Sequence, residues 1–357
     1  MALKVFRHNQ VLAETILTAL TDYEKTSLQY SFDNVLIEPV KKFIVSGKMF
    51  RGGLFLTVVT ELMRLDNPSS ETFKVATVLE LVGSAILIQD DVMDEAVLRR
   101  DLPALHREYA GKIDLHQPKI INSRFGESSA ILVSDFLLFL ATKILSLLEL
   151  KPETSLKLIE AMSTEITQLV FNQAEELRFA ALPLSDLEMT QEKILQIMIG
   201  KTARYTVQWP LRFAAIVAGV APEIDLALQN FGEAAGVVFQ LSDDRLGLFG
   251  ETVLTGKDID SDARSGKKTF YAYFAQHLLK GAQAQEFSAL YGKSDLSLPE
   301  LAQLQELLVS SGVEKEVNLL TQTYVAKAKL ALEALGDWPR LQKLLAETVD
   351  FLAVRAR

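Results

Sequence analysis

Residues 73–95 read FKVATVLELVGSAILIQDDVMDE. Within them Val75, Val78, Leu79, Val82, Ala85, Ile86 and Met93 recur at the i, i+3, i+4, i+7 spacing of one helix face. Asp90 and Asp94 are i, i+4 and so stand one turn apart, while Asp91 is i, i+3 from Asp94. The pattern predicts an apolar helix that ends in three converging carboxylates. A second run, VVFQLSDDRLG over 237–247, ends in Asp243 and Asp244. Like charges this close repel, and their desolvation is costly. A hard divalent cation would relieve both costs, because magnesium takes one or two carboxylates and completes its shell with water and phosphate oxygens. A solvated acidic helix end explains one such pair equally well. It explains less well two pairs that each close an apolar run. A di-iron bundle needs Glu-x-x-His pairs, and none of His8, His106, His116 and His277 has Glu three residues before it.

The same helical spacing continues through Ile131–Leu150, Leu156–Leu177, Ile194–Val217, Leu226–Phe249 and Leu319–Leu335. Alternating strand patterns are scarce, and 18 Gly and 10 Pro in 357 residues lie below the usual roughly 7% and 5%. The chain therefore reads as all-α. Breaks are expected at Asp66–Ser70, Lys151–Thr154 and Gly219–Pro222, and longer loops at Gly111–Gly126 and Gly250–Lys268. Nothing divides the chain into a linker-separated pair, so one domain over 1–357 is expected, with a less helical stretch near Ser288–Pro299.

A net charge of −9 argues against broad nucleic-acid contact. With no cysteine, disulfides and thiolate metal sites are excluded. The first ten residues, MALKVFRHNQ, hold no apolar signal core. The most apolar stretch, Ile131–Leu150, carries Asp135, Lys143 and Glu149, so it reads as a core helix and not as a membrane span. A cytoplasmic protein is expected.

Basic residues follow the acidic ones in a fixed order. Arg99-Arg100 trail the first cluster, and Gly256-Lys257 and Gly266-Lys267 trail the second. Lys48 and Arg51 lie in a glycine-flanked segment, and Lys201-Thr202 in an apolar helical pattern. No P-loop occurs, so an NTPase is not supported.

On these residues the chain resembles the trans-isoprenyl diphosphate synthases, the polyprenyl synthetases of the farnesyl and geranylgeranyl type. Asp90-Asp91-x-x-Asp94 with Arg99-Arg100 is similar to their first aspartate-rich motif, and Phe239-Gln240-x-x-Asp243-Asp244 to the second. Gly256-Lys257 through Asp262 and Gly266-Lys267-x-Thr269 match the loop that follows. Phe125-Gly126 through Leu132 with Asp135, Gln173 with Glu176, and Lys201-Thr202-Ala203 match intervening helices. The resemblance implies a single large helical bundle around a central cavity, a homodimer, and head-to-tail condensation of an allylic diphosphate with isopentenyl diphosphate. It implies that Asp90, Asp91, Asp94, Asp243 and Asp244 hold magnesium, and that Arg99, Lys201, Thr202, Gln240, Lys257 and Lys267 bind the allylic diphosphate. Lys48, Arg51 and Arg100 would bind isopentenyl diphosphate. Ionisation of the allylic C–O bond needs positive charge where the diphosphate departs and an apolar tunnel that keeps water from the carbocation. It needs no protein nucleophile, and none is in view.

The chain departs from the family at several positions. The last Asp of the second motif is Gly247, the early segment keeps Lys48 and Arg51 but loses an Arg and a Pro, and Gly83 stands where the family often has His or Gln. Asp258 and Asp260 replace the usual Pro and Gly of the late loop. A divergent active enzyme is the favoured reading, against a non-catalytic or partner-dependent subunit or a terpene synthase. A tail whose diphosphate sits on Asp90 would run past Ile86, Ala85, Gly83 and Val82, at about 5.4 Å per helical turn. Small Ala85 and Gly83 predict geranylgeranyl diphosphate or longer. The alternative is that they only let helices pack closely.

Overall fold

The computed structural model describes residues 4–27, 33–100, 102–112, 119–250 and 261–354. Helices run in the order α1 (Asn9–Ser27), α2 (Asp33–Val45), α3 (Phe50–Leu62), α4 (Ser70–Met93), α5 (Leu105–Lys112), α6 (Lys119–Ser146), α7 (Pro152–Ala181) and α8 (Gln191–Met198). After a π-helical segment, Ile199–Gln208, come α9 (Trp209–Ala218), α10 (Pro222–Phe249), α11 (Ser261–Ser265), α12 (Phe270–Leu278), α13 (Ala282–Leu290), α14 (Leu298–Ser310), α15 (Val313–Ala331) and α16 (Pro339–Val354). Among the described residues the only strands are β1 (Leu98–Arg99) and β2 (Leu102–Pro103), an antiparallel pair in which Arg99 faces Leu102.

The chain is built of two compact units, Met1–Met162 with Pro210–Val220, and Ser163–Trp209 with Ala221–Arg357. In the first, α4 is the central helix. Ser69 caps it by accepting the Thr72 N–H at 3.2 Å. Its residues Val75, Val78, Leu79, Val82 and Ala85 are fully buried. It packs most extensively on α6, where the Ser134 hydroxyl donates to the Ala85 carbonyl at 3.0 Å. By length and composition α6 could cross a bilayer, since its apolar core runs over Asn122–Ser146. Here one of its faces, with Val133, Leu137 and Ala141, is buried core.

In the second unit α10 is central, lying against the π-helical segment, α15 and α16. Pro222 opens α10 at its first turn, where a missing N–H costs nothing.

The expected helix breaks at 66–70, 151–154 and 219–222 are all present, since helices end or begin there. The expected loop at 111–126 is shorter than the sequence suggested. Helix α6 already begins at Lys119, and Gly126 lies inside it because a Cβ there would stand 2.1 Å from the His106 carbonyl oxygen. The glycine marks a close approach of α5 to α6 and not a turn. Residues 261–265 of the expected late loop are helical, and 251–260, including Lys257, Asp258 and Asp260, lie outside the described residues.

Candidate active site

The first acidic motif lies at the C-terminal end of α4 in the first unit. Its three carboxylates differ in exposure. Asp91 is fully buried and turned inward, where the Nε of Arg99 donates to its Oδ1 at 2.7 Å and a guanidinium Nη2 joins it. Asp90 is half-buried, and Asp94 is exposed in the helix-capping position. Arg99 reaches Asp91 because β1 folds back beside α4. The next residue, Arg100, already lies in the turn after β1. It donates from Nη1 to the Phe43 carbonyl at 2.9 Å and lies 5.3 Å over the Phe43 ring. Its φ of 56° closes the hairpin.

Arg51 starts α3 and lies across Gly83 of α4. A Cβ at Gly83 would be 2.9 Å from its Cδ and 3.1 Å from its Nε. The room that a side chain at Gly83 would need is thus taken by a cation. Lys48 is exposed, and its carbonyl accepts a hydrogen bond from Asn9 Nδ2 at 2.6 Å. Val82 and Ala85 are buried and Ile86 is half-buried.

The second motif lies near the end of α10 in the second unit. Asp244 is 3% exposed and accepts a 2.7 Å hydrogen bond from Gln240 Nε2. Its carboxyl is pushed up to about 7, mainly by burial, with Asp262 and Asp243 adding to the shift and Lys267 and Gln240 opposing it. Asp243, the neighbour, is half-buried. Lys267 pairs with Asp262 at 3.5 Å. Lys201 pairs with Glu176 of α7, and Thr202 beside it is buried. Both belong to the π-helical segment, whose wider turn alters which side chains share a face.

Among the described residues no three acidic or histidine side chains close into a ready-made metal cage. Taken unit by unit, the acids fit an ion that brings most of its own shell. Asp91 Oδ2 is buried without a hydrogen-bond partner, and the Asp244 carboxyl is raised by burial, so a bound cation would favour its charged form. Both are hard oxygen donors of the kind magnesium takes one or two at a time.

Two residues escaped the sequence reading. Glu80 is a buried carboxylate against the cations of the first unit, and its signal was its being the one charge within 75–88. Asp262 was recognised as part of a matching loop but given no role, and it fills the space beside Gly247.

Fold and side-chain chemistry together define the class as an all-helical protein with the architecture of the prenyl synthases. The crystal structure of geranylgeranyl pyrophosphate synthase from Corynebacterium glutamicum, complexed with isoprenyl diphosphate and magnesium, superposes with a TM-score of 0.88 at 24% identity, covering 99% of this chain and 100% of that one. The profile of the polyprenyl synthetase family matches residues 33–308, and the chain belongs to that family. A geranylgeranyl diphosphate synthase of Methanosarcina mazei is 28% identical over 280 residues, 78% of each chain. An octaprenyl diphosphate synthase of Escherichia coli is 26% identical over 317 residues, 89% of this chain and 90% of that one.

Proposed function

We propose that this chain is an active trans-prenyltransferase that condenses an allylic diphosphate with isopentenyl diphosphate, and that 1–357 forms one catalytic domain. The observation that carries this reading is that the cations matched to the diphosphate sites are already held in place by carboxylates. Arg99 is seated on Asp91, Lys201 on Glu176 and Lys267 on Asp262. A guanidinium or ammonium fixed before the substrate arrives loses little freedom when the phosphate oxygens replace solvent around it.

In this reading Asp90, Asp91, Asp94, Asp243 and Asp244 hold magnesium, which when bound supplies positive charge to the departing diphosphate. Arg99, Lys201, Thr202, Gln240 and Lys267 bind the allylic diphosphate, and Lys257 joins them by its place in the matching loop. Lys48, Arg51 and Arg100 orient isopentenyl diphosphate so that its double bond meets the allylic carbon. The family mechanism returns the last proton to the released diphosphate, so no protein base is named. Buried Val82 and Ala85 with Ile86 exclude water along the tail and set a product of twenty carbons or more.

A second copy of the chain is the proposed partner. On α6 the side chains of Ile131, Leu132 and Phe139 are 46%, 64% and 76% exposed on one stripe, an apolar face of the kind a homodimer buries. Cytoplasmic operation follows from the same reading.

The test is a purified-protein assay with isopentenyl diphosphate and C5, C10 or C15 allylic primers, with and without magnesium, read by product mass. A prenyl diphosphate of twenty carbons or more, formed only with magnesium, is expected. Absence of any condensation product under all primers overturns the reading.

A further inference from the structure

Glu80 is the only charged residue within 75–88 of α4, and it is 5% exposed. A carboxylate is buried at this depth only where partners compensate for lost water. Its hydrogen-bond donor comes from the early basic segment. Its Oε1 accepts the Gly52 N–H at 2.7 Å. That N–H belongs to the first turn of α3, whose own capping residue, Met49, sits in the left-handed region at φ 46° and makes no side-chain capping bond. Glu80 therefore caps α3 from a neighbouring helix and places a negative charge where the helix dipole is positive.

Burial pushes the Glu80 carboxyl up, and the opposite charges that resist this and favour its ionised form are Arg51 and Arg100. Arg51 crosses α4 at Gly83, one turn beyond Glu80, and the missing side chain there lets it lie against the helix. Arg100 arrives from the hairpin, and its guanidinium fills the space a Cβ on Gly47 would need, with Nη1 only 2.4 Å from that position. Two guanidiniums brought together in a partly buried place repel, and Arg100 is eased downward from its usual range first by burial and then by Arg51. Glu80 opposes that repulsion. Two cations against one carboxylate leave one positive charge in excess, which suits the cluster to take an anion.

We propose that Glu80 is a positioning residue of the isopentenyl diphosphate site, fixing Arg51 and Arg100 by its charge and α3 by its cap, while Gly83 provides the bed on which Arg51 lies. The inference rests on the proposed function, because it takes Arg51 and Arg100 as ligands of that substrate. Glu80 acts only through them and touches no substrate.

The test is calorimetric titration of isopentenyl diphosphate into the full chain and its Glu80→Gln and Gly83→Leu variants, with KM for both substrates and thermal midpoints beside it. Gln keeps the size and the acceptor for Gly52 N–H but loses the charge. Glu80→Gln is expected to weaken isopentenyl diphosphate binding by about tenfold, raising its KM in step and leaving the allylic KM and kcat within about threefold. Glu80→Asp should recover part of the loss. Gly83→Leu, which displaces Arg51 with Glu80 intact, should show the same selectivity, and it decides the matter should Glu80→Gln fail to fold. Unchanged affinity in a folded variant overturns the inference, as does an equal rise in both KM values that follows the fall in thermal midpoint. Wild-type protein that condenses the substrates normally while Glu80→Gln binds as wild type sinks this inference alone. Wild-type protein that neither condenses nor binds isopentenyl diphosphate sinks the functional reading and this inference with it.

Discussion

The carboxylate of Asp262 occupies the space into which a side chain at position 247 would project. A Cβ on Gly247 would stand 2.6 Å from Asp262 Oδ2 and 3.0 Å from its Cγ. The family's third aspartate would compete for that space with the acid that holds Lys267. We expect Gly247→Asp to destabilise the protein by about 1–3 kcal/mol through overpacking and like-charge repulsion. Asp262→Ala should lose far less stability. In the double variant most of the Gly247→Asp penalty should vanish, because the two changes share one site. Urea unfolding of the four proteins measures this, and additive effects would show that the two residues do not contend for the same volume.

Asp91 and Arg99 form a buried pair, with side chains 0% and 9% exposed. Removing one partner leaves a buried charge, so Asp91→Ala should cost about 3–5 kcal/mol as well as turnover. Asp91→Asn separates the two effects. It keeps an acceptor for Arg99 while removing the negative charge proposed to hold magnesium. The expected result is a folded protein with turnover reduced by at least about a hundredfold. A folded Asp91→Asn enzyme with near-normal turnover would break the assignment of Asp91 to the metal.

The fold was legible because helical periodicity is a local property, and 73–95 shows it without any knowledge of neighbours. The identity of the acidic and basic motifs was legible for the same reason. The direction each side chain takes was not. Spacing alone put Asp91 with Asp90 and Asp94, but the two-residue strand that brings Arg99 back to Asp91 is too short to leave a pattern. Gly83 read as open space along a tail, because a sequence cannot show that Arg51, 32 positions earlier, comes to lie there. The π-helical turn under Lys201 keeps the apolar spacing of an α-helix closely enough to pass for one.

The start of α14 offers a prediction in pH. Ser297 and Glu300 form a reciprocal capping box, with Ser297 N–H donating to Glu300 at 2.9 Å. Lys293 lies 2.6 Å from the same carboxylate. These bonds, Lys293 first, hold Glu300 down at about 2 against an ordinary 4.5. A carboxyl depressed in the folded state stabilises it above the unfolded value and loses that contribution as pH falls from about 4.5 to about 2. Wild type should therefore melt above Glu300→Gln at pH 7, and the gap should narrow steadily below pH 4.5. A gap that stays constant down to pH 2.5 would mean the stabilisation does not depend on the charge.

Ala85 and Gly83 were expected to act alike on product length, and the structure separates them. Ala85 is fully buried beside α6, while the room at Gly83 is filled by Arg51. Ala85→Phe should therefore shorten the product if the tail passes there, because the ring takes the space of about one isoprene unit, close to one helical turn. A bulky residue at Gly83 should leave chain length alone and raise the KM for isopentenyl diphosphate, since it moves a cation and not the tunnel wall. Product mass and KM measured on both variants decide between them. If Ala85→Phe keeps the wild-type product distribution and only loses about 1–3 kcal/mol of stability, then Ala85 is small because α4 and α6 must approach each other, and length is set by residues deeper along the tail.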